Sequence, residues 1–362
     1  MVDYKSLVAF VTVFILSDYF APAALSTILG RLLVTGVVTV VIPYVFSSQL
    51  RSQEKVSATG KAVFITGCDT GFGHELAIKL DKLGFHVFAG CLLPEKEGAT
   101  SLRQTCSNKL QVVHVDVTSE QLVNEALTAV QQALNGNELW AIVNNAGIAV
   151  ISEVELCPMD WYDRMMAVNT MGTVRVTKAF LPLLRESAGR IVIVASVAGR
   201  MTYAGFSAYS MSKHAVISFA NALRVEMKKW GISVHTIEPS LYRTPITSIT
   251  DIKSLAEHLW KETPASIREA YGEDYYQAYN QVFSNIQSYT SNNVYEVIED
   301  MMHAVTAKDT QSRYMPSALI RLRIAIALNL PDSWLDKITM KMVSPKCAVA
   351  FKKGHRQVPS SG

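Results

Sequence analysis

The sequence lacks a strong charge bias and lacks organised cysteine. Lys and Arg number 34 against 31 Asp and Glu, a formal charge of +3, with no arginine-rich arm and no basic stripe interleaved with aromatics. That balance excludes the electrostatic footprint of a nucleic-acid-binding protein. Five cysteines, at 68, 91, 106, 157 and 347, are odd in number and without paired spacing. They build neither a zinc cage nor a disulfide framework, so no metal is expected and the bulk of the chain belongs in a reducing compartment. Internal repeats are absent as well.

Charge is scarcest at the N-terminus. Residues 7–30 carry only Asp18, with Pro22 as a second interruption, and residues 32–46, beyond Arg31, carry no charge. The first run is long enough to cross a bilayer; the second, at 15 residues, falls slightly short of the roughly 17 to 25 a spanning helix needs. Residues 1–46 therefore read as hydrophobic membrane segments. A cleaved secretory signal competes, because Lys5, the run 7–16 and Ala21-Pro22-Ala23 imitate its three regions. A mitochondrial transit peptide fits less well, since residues 1–30 hold one Lys, no Arg and two Asp. Arg51, Lys55 and Lys61 follow the second segment and favour a cytoplasm-facing domain. Residues 47–60 are polar and read as a linker.

From Lys61 short apolar runs at 62–66, 86–90, 111–115, 139–144, 190–195 and 232–237 alternate with helical stretches. Runs without two-residue alternation, each followed by a helix, predict a parallel sheet buried on both faces. Crossover handedness makes this a doubly wound, Rossmann-type α/β domain over residues 61–320. After Pro239 the strand rhythm stops. Residues 240–300 are helical in pattern and rich in aromatics: Tyr242, Trp260, Tyr271, Tyr275, Tyr276, Tyr279, Phe283 and Tyr289. They fit an ordinary packed appendage or an apolar lid over the carboxyl ends of the strands. Residues 318–335 mix aliphatics with Arg321 and Arg323, as an interfacial helix or a core helix would. The amphipathic region 321–362 ends in a basic tail with Lys352, Lys353, His355 and Arg356.

The chemistry-bearing motifs follow the strands. Thr66-Gly67-Cys68-Asp69-Thr70-Gly71-Phe72-Gly73 lies between the first strand and a helix, where glycines admit a pyrophosphate to the helix N-terminus. No basic residue ends the second strand to grip a 2′-phosphate, and Asp69 would repel one; no acid ends it either. Asp116 is placed to accept from an adenine amino group or, equally, to cap the next helix. Asn144-Asn145-Ala146-Gly147 follows the fourth strand, where small residues let the backbone pass close to a cofactor. Asn169 lies mid-helix by pattern, an unfavourable position that asks for a non-local reason. Ser196 ends the fifth strand, thirteen residues before Tyr209, so both hydroxyls can reach one sheet edge. Tyr209 and Lys213, at i and i+4, share a helix face, and the ammonium is expected to lower the phenol's pKa.

Taken together these motifs resemble the short-chain dehydrogenase/reductase family over roughly residues 60–320. The stretches 67–73 and 83–90 and the pair Arg313-Tyr314 resemble the branch holding hydroxysteroid, retinol and hydroxybutyrate dehydrogenases; 102–106, 139–141 and 229–232 tilt it towards the steroid members. The resemblance implies an oxidoreductase in which Tyr209 exchanges a proton with the substrate oxygen, Ser196 polarises it, Lys213 tunes Tyr209, and Asn169 positions a water. It implies cofactor binding by Thr66, Gly67, Asp69, Gly71, Phe72, Gly73, Asp116, Asn144, Ala146, Gly147, Tyr209, Lys213, Pro239 and Thr244, with NAD preferred over NADP. The expected substrate is a lipophilic alcohol or ketone, steroid or sterol first and retinoid next. The expected assembly is a homodimer through the Asn169 and Tyr209 helices at the endoplasmic reticulum membrane, with the mitochondrial inner membrane as second location. One departure stands out: Ser240 replaces the glycine usual after Pro239, which predicts a displaced loop. A hydroxybutyrate dehydrogenase and a catalytically inactive membrane scaffold are the alternatives.

Overall fold

The computed structural model describes residues 54–286 and 290–343. The expected membrane segments, linker residues 47–53, Tyr289, the side chain of Phe283 and the chain beyond 343 lie outside the described residues. Among the described residues no helix is long and apolar enough to cross a membrane.

One parallel sheet organises the chain. Its strands are β1 (Lys61–Thr66), β2 (His86–Cys91), β3 (Leu110–His114), β4 (Glu138–Asn144), β5 (Arg190–Val194), β6 (Ser233–Ile237) and β7 (Arg313–Tyr314), in the order β3-β2-β1-β4-β5-β6-β7. The six apolar runs form the first six strands. β7 is an addition: two residues carry no periodicity, and only pairing of Thr236 with Arg313 and Ile237 with Tyr314 defines it. The missing alternation has a simple cause. In β1, Val63 and Ile65 face one buried layer while Ala62 and Phe64 face the other, so every position is apolar.

The helices are α1 (Gly71–Lys82), α2 (Glu97–Thr105), α3 (Glu120–Ala133), α4 (Met159–Met165), α5 (Thr173–Ser187), α6 (Ser207–Glu226), α7 (Ile249–Glu262), α8 (Ala265–Tyr271), α9 (Glu273–Ile286), α10 (Tyr295–Thr306), α11 (Ala318–Ala327) and α12 (Asp332–Val343). Helices α1, α2 and α10 cover one face of the sheet through Leu76, Leu80, Leu102, Val297 and Met301. On the other face α3, α5 and α6 contribute Val123, Val130, Phe180, Leu184 and Ile217. Strand order reverses between β1 and β4, which opens a crevice at their carboxyl ends.

The aromatics after Pro239 pack α7–α9 onto the loop that leaves β4. Trp260 stacks on Tyr276 at 4.7 Å beside Leu156, and Tyr275 and Tyr279 gather around Ile151. The hydroxyls of Tyr271 and Tyr275 donate to Glu155 and Glu153 at 2.7 and 2.6 Å. The last part of the expected linker is docked: Val56 N donates to Thr306 O at 2.7 Å, and Val56 and Ala58 pack against the core.

Phe180 holds α5 to the sheet by stacking on Phe64, with ring centroids 4.5 Å apart and both rings fully buried. Phe180→Ala is expected to destabilise the fold by about 3 to 5 kcal/mol through lost transfer energy and a residual cavity. Denaturant midpoints of the two chains measure this.

Candidate active site

The site begins where β1 and β4 end side by side. Thr66 is buried, and its hydroxyl oxygen accepts from Asn145 N and Ala146 N, each at 3.1 Å. The amide of Asn145 donates to Thr66 O and Gly67 O at 2.9 and 3.0 Å. Thr66 and Asn145 thus clamp the glycine turn onto the end of β4. A Cβ at Gly67, whose φ is +70°, would lie 2.8 Å from Ala146 Cα; one at Gly73 would lie 2.5 Å from both Asn145 Nδ2 and Gly67 O. Only glycine fits either place. Thr70, the N-cap of α1, makes no side-chain cap, so the first amides of that helix remain for an anion. The turn therefore fits the pyrophosphate of a dinucleotide, with Gly71 at φ +67° and Phe72 half-buried at its rim.

Two of the expected cofactor residues also take partners within the protein. Asn144 turns inward, donating to Thr177 Oγ1 of α5 at 3.0 Å, and its neighbour Asn145, not singled out from the sequence, braces the turn. Asp116 does not cap α3: Ser119 does, accepting from Leu122 N, while Asp116 accepts from Thr118 N and Oγ1 at 2.8 and 2.7 Å. Asp69 reaches further than its place in the turn implied. Its carboxylate accepts from Leu92 N and Leu93 N at 3.0 and 2.8 Å, which puts the acid missing from the end of β2 beside that strand end.

Asn169 has the non-local reason its position asked for. It lies in a π-helical stretch, Met166–Gly172, between α4 and α5. Widened turns of this kind recur at functional sites. Its amide accepts from Ile148 N at 2.8 Å and donates to Ile148 O and Ser212 Oγ, both at 2.9 Å. The side chain pins the loop after Gly147 to α6. Ser212, missed in the sequence, completes the link by donating to Tyr209 O at 2.7 Å.

Ser196, Tyr209 and Lys213 converge at the carboxyl end of β5. Ser196 Oγ accepts from Ala198 N at 3.1 Å and donates to Pro239 O at 3.3 Å. A side-chain hydrogen bond joins Tyr209 to Ser196. Lys213 Nζ donates to Val194 O at 2.9 Å and lies 5.7 Å from the Tyr209 ring centroid. A Cβ at Gly147 would come within 3.6 Å of the same Nζ, so the loop after β4 passes directly over the ammonium. The expected lowering of the Tyr209 pKa is corrected. Burial raises it, and the bond to Ser196 only partly opposes the rise. Burial acts on both members of the pair, because neither the phenolate nor the ammonium is well solvated here.

The loop after β6 is ordered around Ser240. Its φ is not positive, so serine at that position carries no left-handed strain, and its hydroxyl bonds Tyr242. Tyr242 is buried, and burial together with nearby Glu296 raises its pKa. Pro239 O accepts from Val197 N at 3.0 Å as well as from Ser196, and Thr244 is half-buried beyond it. Glu238, fully buried, receives Arg200 through two hydrogen bonds of 3.0 and 2.7 Å, tying the turn after Ser196 to the end of β6. A lone acid closing an apolar strand was the signal for it.

Burial pushes Lys213 down to about 8 from an ordinary 10.5. Its buried charge opposes folding fully below about pH 8. Stability should rise between about 8 and 10.5, where the unfolded chain still binds the proton and the folded chain has lost it. Lys213→Met should flatten that rise; equal pH slopes for the two chains in denaturant titrations would contradict it.

Comparison with known proteins agrees with this geometry. The profile of the short chain dehydrogenase family matches residues 61–253. Estradiol 17-beta-dehydrogenase 2 of Mus musculus is 39% identical over 326 residues, covering 88% of this chain and 84% of the relative. The mitochondrial D-beta-hydroxybutyrate dehydrogenase of Rattus norvegicus is 37% identical over 292 residues, covering 78% and 84%. A short chain dehydrogenase/reductase of Burkholderia phymatum, solved in complex with NAD, shares the fold at 21% identity, with a TM-score of 0.61 over 75% of this chain and 94% of that one. With its reversed parallel sheet, clamped glycine turn and convergent Ser196, Tyr209 and Lys213, the chain belongs to the short-chain dehydrogenase family, as an oxidoreductase acting on alcohols.

Proposed function

We propose that the chain is an NAD-preferring oxidoreductase interconverting a lipophilic alcohol and its carbonyl product, with steroid or sterol alcohols first and retinoids next. The observation that carries this reading is the apolar wall beside Tyr209. Tyr209 packs against a hydrophobic cluster that includes Val150, Met165 and Leu259, with Leu255 at its edge; the two leucines come from α7. Substrate carrying a carboxylate would need a cation there. Arg200, four residues beyond Ser196, is committed to Glu238, which weighs against a hydroxybutyrate-like substrate. Leu255 and Leu259 in that cluster support a role for α7, with α8 and α9 packed behind it, as a lid.

When bound, NAD supplies the hydride acceptor. The glycine turn from Gly67 to Gly73, with Asp69, Asp116, Ala146, Gly147, Thr244 and Lys213, would hold it. Tyr209 Oη takes the substrate proton in oxidation and returns it in reduction, and Ser196 orients the substrate oxygen where charge develops. Asn169 ties the Ile148 loop to Ser212, one residue before Lys213 on the same helix. The Asp69 carboxylate beside the end of β2 supports NAD over NADP, because a 2′-phosphate there would meet a negative charge. Exposed Met171, Met211 and Val225 flank the Asn169 and Tyr209 helices and support a homodimer through them. The apolar runs of residues 1–46 support residence in a membrane, that of the endoplasmic reticulum before the mitochondrial inner membrane, with the domain facing the cytoplasm.

Purified chain supplied with NAD is expected to oxidise steroid alcohol faster than retinol and to leave hydroxybutyrate unchanged. A hydroxybutyrate preference would remove the lipophilic reading, and cofactor binding with no turnover would favour an inactive scaffold. Asp69→Asn should lower the NAD-over-NADP ratio of kcat/KM by on the order of tenfold, since one charge at the ribose is removed. An unchanged ratio would remove Asp69 from cofactor choice.

A further inference from the structure

Helices α11 and α12 each have one buried face and one apolar face left open. On the buried side, Ile324, Ala327 and Leu335 pack with Val197, Met201 and Met315, and the Arg321 guanidinium donates to Met315 O at 2.5 Å. On the open side, Leu319 and Ile326 of α11 are 56% and 54% exposed, and Trp334 and Ile338 of α12 are 61% and 42% exposed. Helical periodicity puts Arg323 between Leu319 and Ile326, and Lys337 beside Trp334 and Ile338. It puts Asp332 and Asp336 on the other side of α12. No stretch of similar length among the described residues exposes as many large apolar side chains.

We propose that this face docks on an anionic phospholipid surface. Aliphatic side chains beside an indole, with cations on long stems, match the boundary between acyl chains and headgroups, where lysine and arginine reach phosphate while their stems stay in hydrocarbon. Charge complementarity extends along the sequence: residues 344–362 contain Lys346, Lys352, Lys353 and Arg356 and no acid. The buried side of the same helices packs on Val197 and Met201, just after Ser196. Docking therefore sets the turn that follows Ser196 close to the bilayer, the phase in which a lipophilic alcohol dissolves. That consequence, unlike the docking itself, rests on the proposed function.

Tryptophan fluorescence of the full chain tests it in vesicles of phosphatidylcholine and phosphatidylserine carrying brominated acyl chains. Residues 1–46 contain no tryptophan, so quenching reports on the domain. Wild type should be quenched and Trp334→Phe should lose that component. Equal quenching of the two chains would overturn the proposal, whether Trp334 meets water, a second copy or the chain's own tail. In a second arm, Leu319→Asn with Ile326→Asn should raise KM for a steroid alcohol dissolved in vesicles by about tenfold, as expected for lost apolar contact, and leave KM for the same alcohol delivered by cyclodextrin unchanged. An equal rise for both deliveries would overturn the proposal. Trp334-dependent quenching without turnover of any alcohol would uphold the docking and remove the proposed activity.

Discussion

The site depends on the closure of β1 against β4. At that junction the strand order reverses, and two backbone segments from distant parts of the chain must run close together without leaving polar groups unmet. Thr66 and Asn145 meet this requirement with side chains, accepting and donating across the gap. The closeness of the segments then dictates glycine at 67 and 73. The same bonds that complete the fold shape the cradle for an anionic cofactor. Stability and binding are here two readings of one set of contacts.

A second chain of contacts carries this geometry to the reactive groups. Asn169, held in a widened helix, binds the Ile148 backbone on one side and Ser212 on the other, and Ser212 donates to Tyr209 O. Glu238 and Arg200 fix the turn after Ser196 from the far side. Between these supports, Tyr209 and Lys213 sit where burial dominates their electrostatics. It raises the phenol and brings the ammonium down to about 8. A desolvated cation is a weak means of lowering its neighbour's pKa unless other groups stabilise both charged forms. Ser196 is the group that opposes the rise at Tyr209 in this structure.

Much of this was legible in the sequence. Six strands stood out because burial on both faces makes each an unbroken apolar run; β7, two residues long, had no such signature. Convergence of Ser196 with the Tyr209 helix followed from strand-end placement and helical spacing. What failed to show was direction. Asn144 and Asn145 are adjacent and identical, and only the point where the strand ends decides that one faces α5 and the other the glycine turn. Asp69 lies 23 residues before the backbone amide it meets at the end of β2, a contact made by strand pairing. The upward shift of the Tyr209 pKa had no sequence signature, because spacing reports proximity and is silent on depth. Ser240 suggested a displaced loop because glycine's freedom was assumed to be needed there, and its backbone does not use it.

The central claim is that Tyr209, supported by Ser196, Lys213 and Asn169, handles the substrate proton in alcohol oxidation. Single-turnover reduction of NAD by a lipophilic alcohol, compared between wild type and Tyr209→Phe, tests it most directly. Loss of a positioned general acid–base should slow that step by about 10² to 10⁴, while NAD titration shows unchanged binding. Equal single-turnover rates for the two chains would contradict the account.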